Sequence, residues 1–232
     1  MLKYIKETIV LSVKGNIVKY QSVIPNNVSI IAVSKTKPIE CIEEAYEVGI
    51  RDFGENKVQE LIEKVDYFKQ KQDIRWHLIG HLQRNKVKYI VGKVHLIHSL
   101  DSVRLLNEIE SRYKKQSIVA NTLIQINIGK EESKYGINEE ELEYVIKAVE
   151  NCDNVRVKGL MTIIPKGSED QCRQYFKKMN NIFKQLKRRT FKNIQMQYLS
   201  MGMTGDYMIA IEEGSNMVRI GQGIFGKRNY DK

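Results

Sequence analysis

Apolar and polar positions along the chain fall into two alternating rhythms. Short runs rich in β-branched residues occur at 29 to 34 (SIIAVS), 50 to 53 (IRDF), 74 to 79 (IRWHLI), 94 to 99 (VHLIHS), 118 to 127 (IVANTLIQIN), 155 to 161 (VRVKGLM), 196 to 201 (MQYLSM) and 216 to 220 (NMVRI). Such runs predict strands. Between them, apolar residues recur at helical spacing in PIECIEEAYEVG, VQELIEKVDYFKQ, SVRLLNEIESRYKK, EEELEYVIKAVEN and the region around KKMNNIFKQLKRRTFK, where Tyr175, Met179, Ile182, Phe183 and Leu186 share one face. These stretches predict amphipathic helices. A further helix is expected over 2 to 20, with Leu2, Ile5, Ile9 and Val13 on one side. Asp101 and Asn138 precede helical stretches and can cap their orphan amides. Eight strands alternating with helices in a chain of 232 residues predict an α/β fold. The expected form is a single-domain (β/α)8 TIM barrel over 1 to 232 with an extra N-terminal helix, rather than an open doubly wound sheet.

Composition leaves that picture intact, since 42% hydrophobic and 28% charged residues describe an ordinary globular chain with no proline-, serine- or glycine-rich linker. The net charge of +10 admits nucleic acid, anionic membrane or small phosphorylated ligands as partners. The densest basic stretch reads as the solvated back of a helix, and no zinc-finger spacing, RNP1-like motif or basic zipper accompanies it, so nucleic acid is not expected. Cys41, Cys152 and Cys172 are far apart and odd in number, which points away from a disulfide framework and towards a reducing cytoplasm. The N-terminal apolar stretch is cut by Lys14, and nothing approaches a membrane-spanning length, so no membrane association is expected. His77, His81, His95 and His98 read as structural, and no metal is expected.

Barrel chemistry sits at the C-terminal ends of the strands, with a phosphate site built after strands seven and eight. Lys35 stands at such an end, as do Asn56, Gly80, His81, Ser99, Thr162, Ser200, Met201, Gly221 and Gly223. GQGIFG, 221 to 226, has the form of a dinucleotide fingerprint, but only six residues follow Gly226, too few for the remaining helix, strand and acidic residue. Its glycines still let backbone amides approach an anion, and with Ser200 and GMTG they form a plausible monophosphate cradle. Arg219 lies among apolar strand residues, so its guanidinium is either paired with a carboxylate or aimed at a ligand. A lysine desolvated at a strand end is a neutral amine for more of the time, and neutral amines attack aldehydes. A ligand with both a phosphate and an aldehyde is pyridoxal 5'-phosphate.

The blocks AVSKTKP, FGENKVQE, WHLIGHLQRNK, HSLDS, GKEESKYG, GLMTI, LSMGMTGDYMIAIEEGSNMVRIG and IFGKR, in that order, resemble the pyridoxal phosphate homeostasis protein family, relatives of the N-terminal barrel of alanine racemases. The resemblance covers nearly the whole chain. It implies that Lys35 carries the cofactor as a Schiff base and that Arg219 faces the pyridine nitrogen. Ser200 and backbone amides around Met201, Gly221 and Gly223 would hold the phosphate, Asn56 would lie near the cofactor, and Lys134 matches a family lysine with a secondary role in handling it. The chain departs from the family pattern at Gln222 and Gly223. The implied function is to hold pyridoxal 5'-phosphate as a lysine aldimine and supply it to dependent apoenzymes without robust catalysis. The alternative is an amino-acid racemase using the same lysine. A racemase would need a second acid/base from an additional β-domain, which the residues after GIFG do not supply, and a monomer is the expected state.

Overall fold

The computed structural model describes residues 12–227, and their eight parallel strands close on themselves in the order β1 to β8. The strands are β1 (Ser29–Val33), β2 (Asp52–Glu55), β3 (Arg75–Leu78), β4 (Leu96–Leu100), β5 (Ala120–Gln125), β6 (Val155–Met161), β7 (Ile194–Met203) and β8 (Met217–Ile220). Pairing of Ser29 with Met217 and of Ile31 with Arg219 closes the ring. Around it lie α1 (Val13–Val23), α2 (Ile39–Glu47), α3 (Val58–Tyr67), α4 (Val103–Lys114), α5 (Leu142–Glu150), α6 (Glu169–Lys187), α7 (Tyr207–Glu212) and α8 (Gln222–Phe225), with 3-10 turns at Arg84–Tyr89 and Glu139–Glu141. The eightfold α/β barrel expected from the hydrophobic pattern is the fold observed.

The apolar periodicity finds its use in the layer between barrel and helices. α6 turns Cys172, Phe176, Met179, Ile182, Phe183 and Leu186 inward, and its basic residues occupy the other side. Each large apolar side chain so buried stabilises by about 1.5–3 kcal/mol. Ser168 and Gln171 form a reciprocal capping box at its start. Inside the barrel the apolar filling is small: Ile31, Leu96, Leu123, Met161 and Met217 form a separate cluster, and polar side chains occupy the rest.

Two expectations are corrected in detail. The second strand is Asp52–Glu55, two residues beyond the apolar run at 50 to 53, because its last residues pair with β3 while Arg51 turns outward to Asp73. α4 is capped by Ser102, whose hydroxyl accepts from the Leu105 amide at 3.2 Å, and Asp101 instead engages His81 at 2.8 Å. Asn138 does cap, in a box with Glu141. Of the opening helix, Val13–Val23 is described, and the positions Leu2, Ile5 and Ile9 lie outside the described residues. α1 crosses the seam between β1 and β8 and docks on α8, where the Asn16 side-chain amide donates to the Ile224 carbonyl at 2.9 Å. A Cβ on Gly223 would stand 2.0 Å from the Tyr20 hydroxyl, so only glycine allows that approach.

Candidate functional site

β1 delivers the chain to the C-terminal rim through the buried Ser34, and Lys35 follows half-buried. Thr36 then adopts a left-handed conformation with φ of 63°, unusual for a residue with a branched Cβ. Three side chains hold this turn. Ser34 Oγ donates to Glu55 Oε1 at 2.6 Å, the Thr36 amide donates to Glu60 at 2.5 Å, and Lys64 Nζ donates to the Ser34 carbonyl (2.8 Å), Glu55 (2.8 Å) and Glu60 (2.7 Å). Glu55 and Lys64 are 0% and 4% exposed. Burial pushes the Glu55 carboxyl up from its ordinary range against the pull of Lys64, and its second oxygen has no hydrogen-bond partner among the described residues. The quoted motif FGENKVQE contains both acids, but nothing in their spacing announces a clamp on a lysine some twenty positions earlier.

On the opposite wall, Arg219 is 4% exposed and fully committed to neutral oxygens. Nη1 donates to the Ser200 carbonyl (2.9 Å) and to Ser200 Oγ (2.6 Å), and Nη2 donates to the Thr162 carbonyl (2.8 Å). Its partners are thus not the carboxylate that a buried arginine usually finds. Burial lowers its pKa to about 10, with Asp206 pulling the other way, so it stays charged at neutral pH. Beneath it runs a string of polar side chains: His98 Nδ1 lies 3.1 Å from Ser200 Oγ, His98 Nε2 lies 3.0 Å from His77 Nδ1, and His77 Nε2 lies 3.0 Å from Asp52 Oδ1. Arg75 holds the other side of Asp52 at 2.5 and 2.7 Å. Burial works against ionisation of Asp52, but the hydrogen bonds from His77 and Arg75 prevail and hold its pKa at about 2. Burial, then the neighbouring His77 and Arg219, push His98 well below the usual histidine range.

Between these walls lies a cavity of about 570 Å³. Of the sequence-predicted residues it brings together Lys35, Asn56, Lys134, Arg219 and Gly221. Ser200, Met201 and Gly223 do not line it. Ser200 is fully buried under Arg219, Met201 packs in the layer outside the barrel, and the Gly223 amide donates to Thr204 Oγ1 at 3.2 Å. Thr204 and Gly205 line the cavity in their place, from a turn in which Asp206 accepts from the Met203 amide at 2.6 Å. Their signal was present in GMTG, one turn further on than Ser200. Gly80 lets the strand-three loop settle on the Asn56 backbone, since a Cβ there would meet the Asn56 carbonyl oxygen at 2.3 Å. At the rim, Tyr135 stacks on His81 with ring centres 3.9 Å apart, and Lys134 is exposed 3.9 Å from Glu131. Among the described residues no cluster of three histidine, cysteine or acidic side chains could hold a metal ion, and no helix is long and apolar enough to cross a membrane.

The family model described as alanine racemase, N-terminal domain, matches residues 11–229. A curated relative, the pyridoxal phosphate homeostasis protein of Aquifex aeolicus (strain VF5), is 45% identical over 207 residues, covering 88% of this chain and 89% of that one. The chain belongs to the pyridoxal phosphate homeostasis protein family. Within reach of that family, the solved structure of PipY from Synechococcus elongatus PCC7942 with PLP bound matches with a TM-score of 0.85 at 30% identity, over 93% of this chain and 100% of that one. The alanine racemase of Clostridium difficile 630 matches with a TM-score of 0.73 at 17% identity, over 95% of this chain and 58% of the racemase, a likeness of fold alone.

Proposed function

We propose that this chain, as one barrel domain over 1 to 232, binds pyridoxal 5'-phosphate at the C-terminal rim and serves its intracellular homeostasis and supply without robust catalysis. The supporting observation is that a half-buried lysine, a buried charged arginine and a glycine-threonine turn line one cavity. An amine, a cation for a ring nitrogen and a hydroxyl with backbone amides for a phosphate are the donor set this cofactor requires, and the cavity volume suits a ligand of its size. When bound, the cofactor supplies an aldehyde carbon and an electron-accepting ring.

Lys35 offers the amine for covalent attachment, and the clamp through Ser34 and Thr36 keeps it aimed at the cavity. Thr204 and the amides of the Gly221–Gln222 turn would hold the phosphate, a reassignment from Ser200, whose hydroxyl is engaged below Arg219. Asn56 would flank the ring, and Lys134 stands at the entrance for the secondary role implied by the resemblance. Arg219 keeps its charge at neutral pH, so a second positive charge on the ring nitrogen is repelled. The ring is then a weaker electron sink, which favours holding and release over turnover. Recipients would be dependent apoenzymes, a monomer is the proposed state, and the three free cysteines suit a reducing cytoplasm.

The test is a visible absorption spectrum of the protein loaded with pyridoxal 5'-phosphate, followed by borohydride reduction and peptide mapping. A yellow band whose reduced adduct maps to Lys35, and which disappears in Lys35→Ala, is expected. An adduct spread over surface lysines would overturn the site. A chiral assay showing D-amino acid formation at a rate abolished by Lys35→Ala would overturn the non-catalytic part.

A further inference from the structure

The string of polar side chains inside the barrel has one arrangement of protons that satisfies all of it. An ionised Asp52 only accepts, so His77 Nε2 carries a proton towards it. With His77 neutral, its Nδ1 is bare and His98 Nε2 must donate across the 3.0 Å contact. A neutral His98 then presents a bare Nδ1, to which the Ser200 hydroxyl donates at 3.1 Å. Ser200 Oγ finally accepts from Arg219 at 2.6 Å. The opposite arrangement, with His77 doubly protonated and His98 donating to Ser200, would give Ser200 two donors and leave its own buried proton without an acceptor among the described residues.

We propose that Asp52, His77, His98 and Ser200 form a one-way hydrogen-bond relay that positions Arg219. Every donor in the relay points towards Asp52. Ser200 has spent its only proton on His98, so it offers Arg219 lone pairs and is no donor to a phosphate. Five strands, β2, β3, β4, β7 and β8, supply Asp52, His77, His98, Ser200 and Arg219, and the exposed Arg75 of β3 flanks Asp52 from outside. Asp52 is paired with Arg75, and the carboxylate that acts on Arg219 is Asp206 in the same cavity, so the relay's part is to fix Ser200 Oγ as an acceptor that holds the guanidinium in the cavity wall. Asp52, His77 and His98 are positioning residues and touch no ligand.

The first test needs no cofactor. Long-range nitrogen-proton NMR correlation on the nitrogen-15-labelled full chain at neutral pH reports which ring nitrogen of each histidine carries a proton, and both His77 and His98 are expected as neutral rings protonated on Nε2. An imidazolium at His77, or a proton on His98 Nδ1, would overturn the relay. The second test rests on the cofactor reading above and uses Asp52→Asn and His98→Phe, with Asp73→Asn as a control, because Asp73 pairs with Arg51 at the same end of the barrel outside the relay. Loaded with pyridoxal 5'-phosphate, both relay variants are expected to move the absorption maximum of the bound cofactor and weaken its binding by about tenfold, and the control to do neither. An unmoved maximum in Asp52→Asn, with the wild-type adduct present on Lys35, would overturn the relay's influence on the site. A wild-type protein that forms no adduct on Lys35 would overturn the cofactor reading, and the tautomers alone would then decide the relay.

Discussion

β2 carries two carboxylates three residues apart, and they meet opposite fates. Asp52, at the N-terminal end, takes two hydrogen bonds from Arg75 and one from His77, and its pKa falls to about 2. Glu55, at the C-terminal end, is more deeply buried, leaves one oxygen without a partner among the described residues, and is pushed up. They sit three positions apart on one strand, so the pleat turns Asp52 into the barrel and Glu55 outward to α3, where each meets a different set of donors. What differs is how completely donors replace the water that each carboxylate lost. Asp52 is held by an arginine and a histidine and is the satisfied end of a chain, whereas Glu55 shares Lys64 with Glu60 and holds the turn that aims Lys35.

That contrast predicts where the molecule breaks. Lys64→Met leaves Glu55 and Glu60 facing each other without a cation, the case in which removing one partner of a buried ion pair costs about 3–5 kcal/mol. Urea unfolding should report a loss of that size, and a loss below ~1 kcal/mol would mean that the clamp contributes little. Asp52 gives a pH signature instead. Its folded pKa of about 2 lies below the ordinary value of 3.8, so its contribution is complete above pH 4 and is lost as pH falls towards 2. That contribution amounts to about 2 kcal/mol. Unfolding free energies of wild type and Asp52→Asn should therefore differ at neutral pH and converge in acid. For Glu55 the sign reverses: a raised carboxyl contributes most when protonated and loses that contribution as pH rises above the ordinary value of 4.5, so Glu55→Gln should remove a slope of opposite direction. The smallest effect is expected for Ser34→Ala, which deletes the 2.6 Å bond to Glu55 and should cost about 1–2 kcal/mol, with the rate of adduct formation at Lys35 as a second readout.

The barrel was readable because its helices and the outer faces of its strands are apolar at regular spacing, and those positions fill the layer between them. Lys35 and Arg219 stood out for the same reason inverted: each is a cation in an apolar run. The interior was harder to read. Asp52, His77, His98 and Ser200 satisfy one another across strands that lie 21 to 102 positions apart, and no local period encodes such a match. Ser200 is the phosphate residue that the resemblance and its place near a strand end imply, but its hydroxyl lies below the cavity between His98 and Arg219, and the cavity is lined by Thr204 after the strand has ended. Asp101 and Ser102 are both good caps by residue type, and the choice between them depended on His81 claiming the first.

The seam where β1 meets β8 also bears on how the molecule comes into being. The turn at Gly221 and the wall at Arg219 belong to the last strand in chain order, and they meet Lys35 through pairing across almost the entire described chain. Loops of that length close late and slowly. Without β8 in place, Lys35 would have neither Arg219 nor the Gly221 turn beside it, and the cavity they line together would not exist. Packing α1 over this seam, with Tyr20 against Gly223, couples completion of the ring to completion of the site.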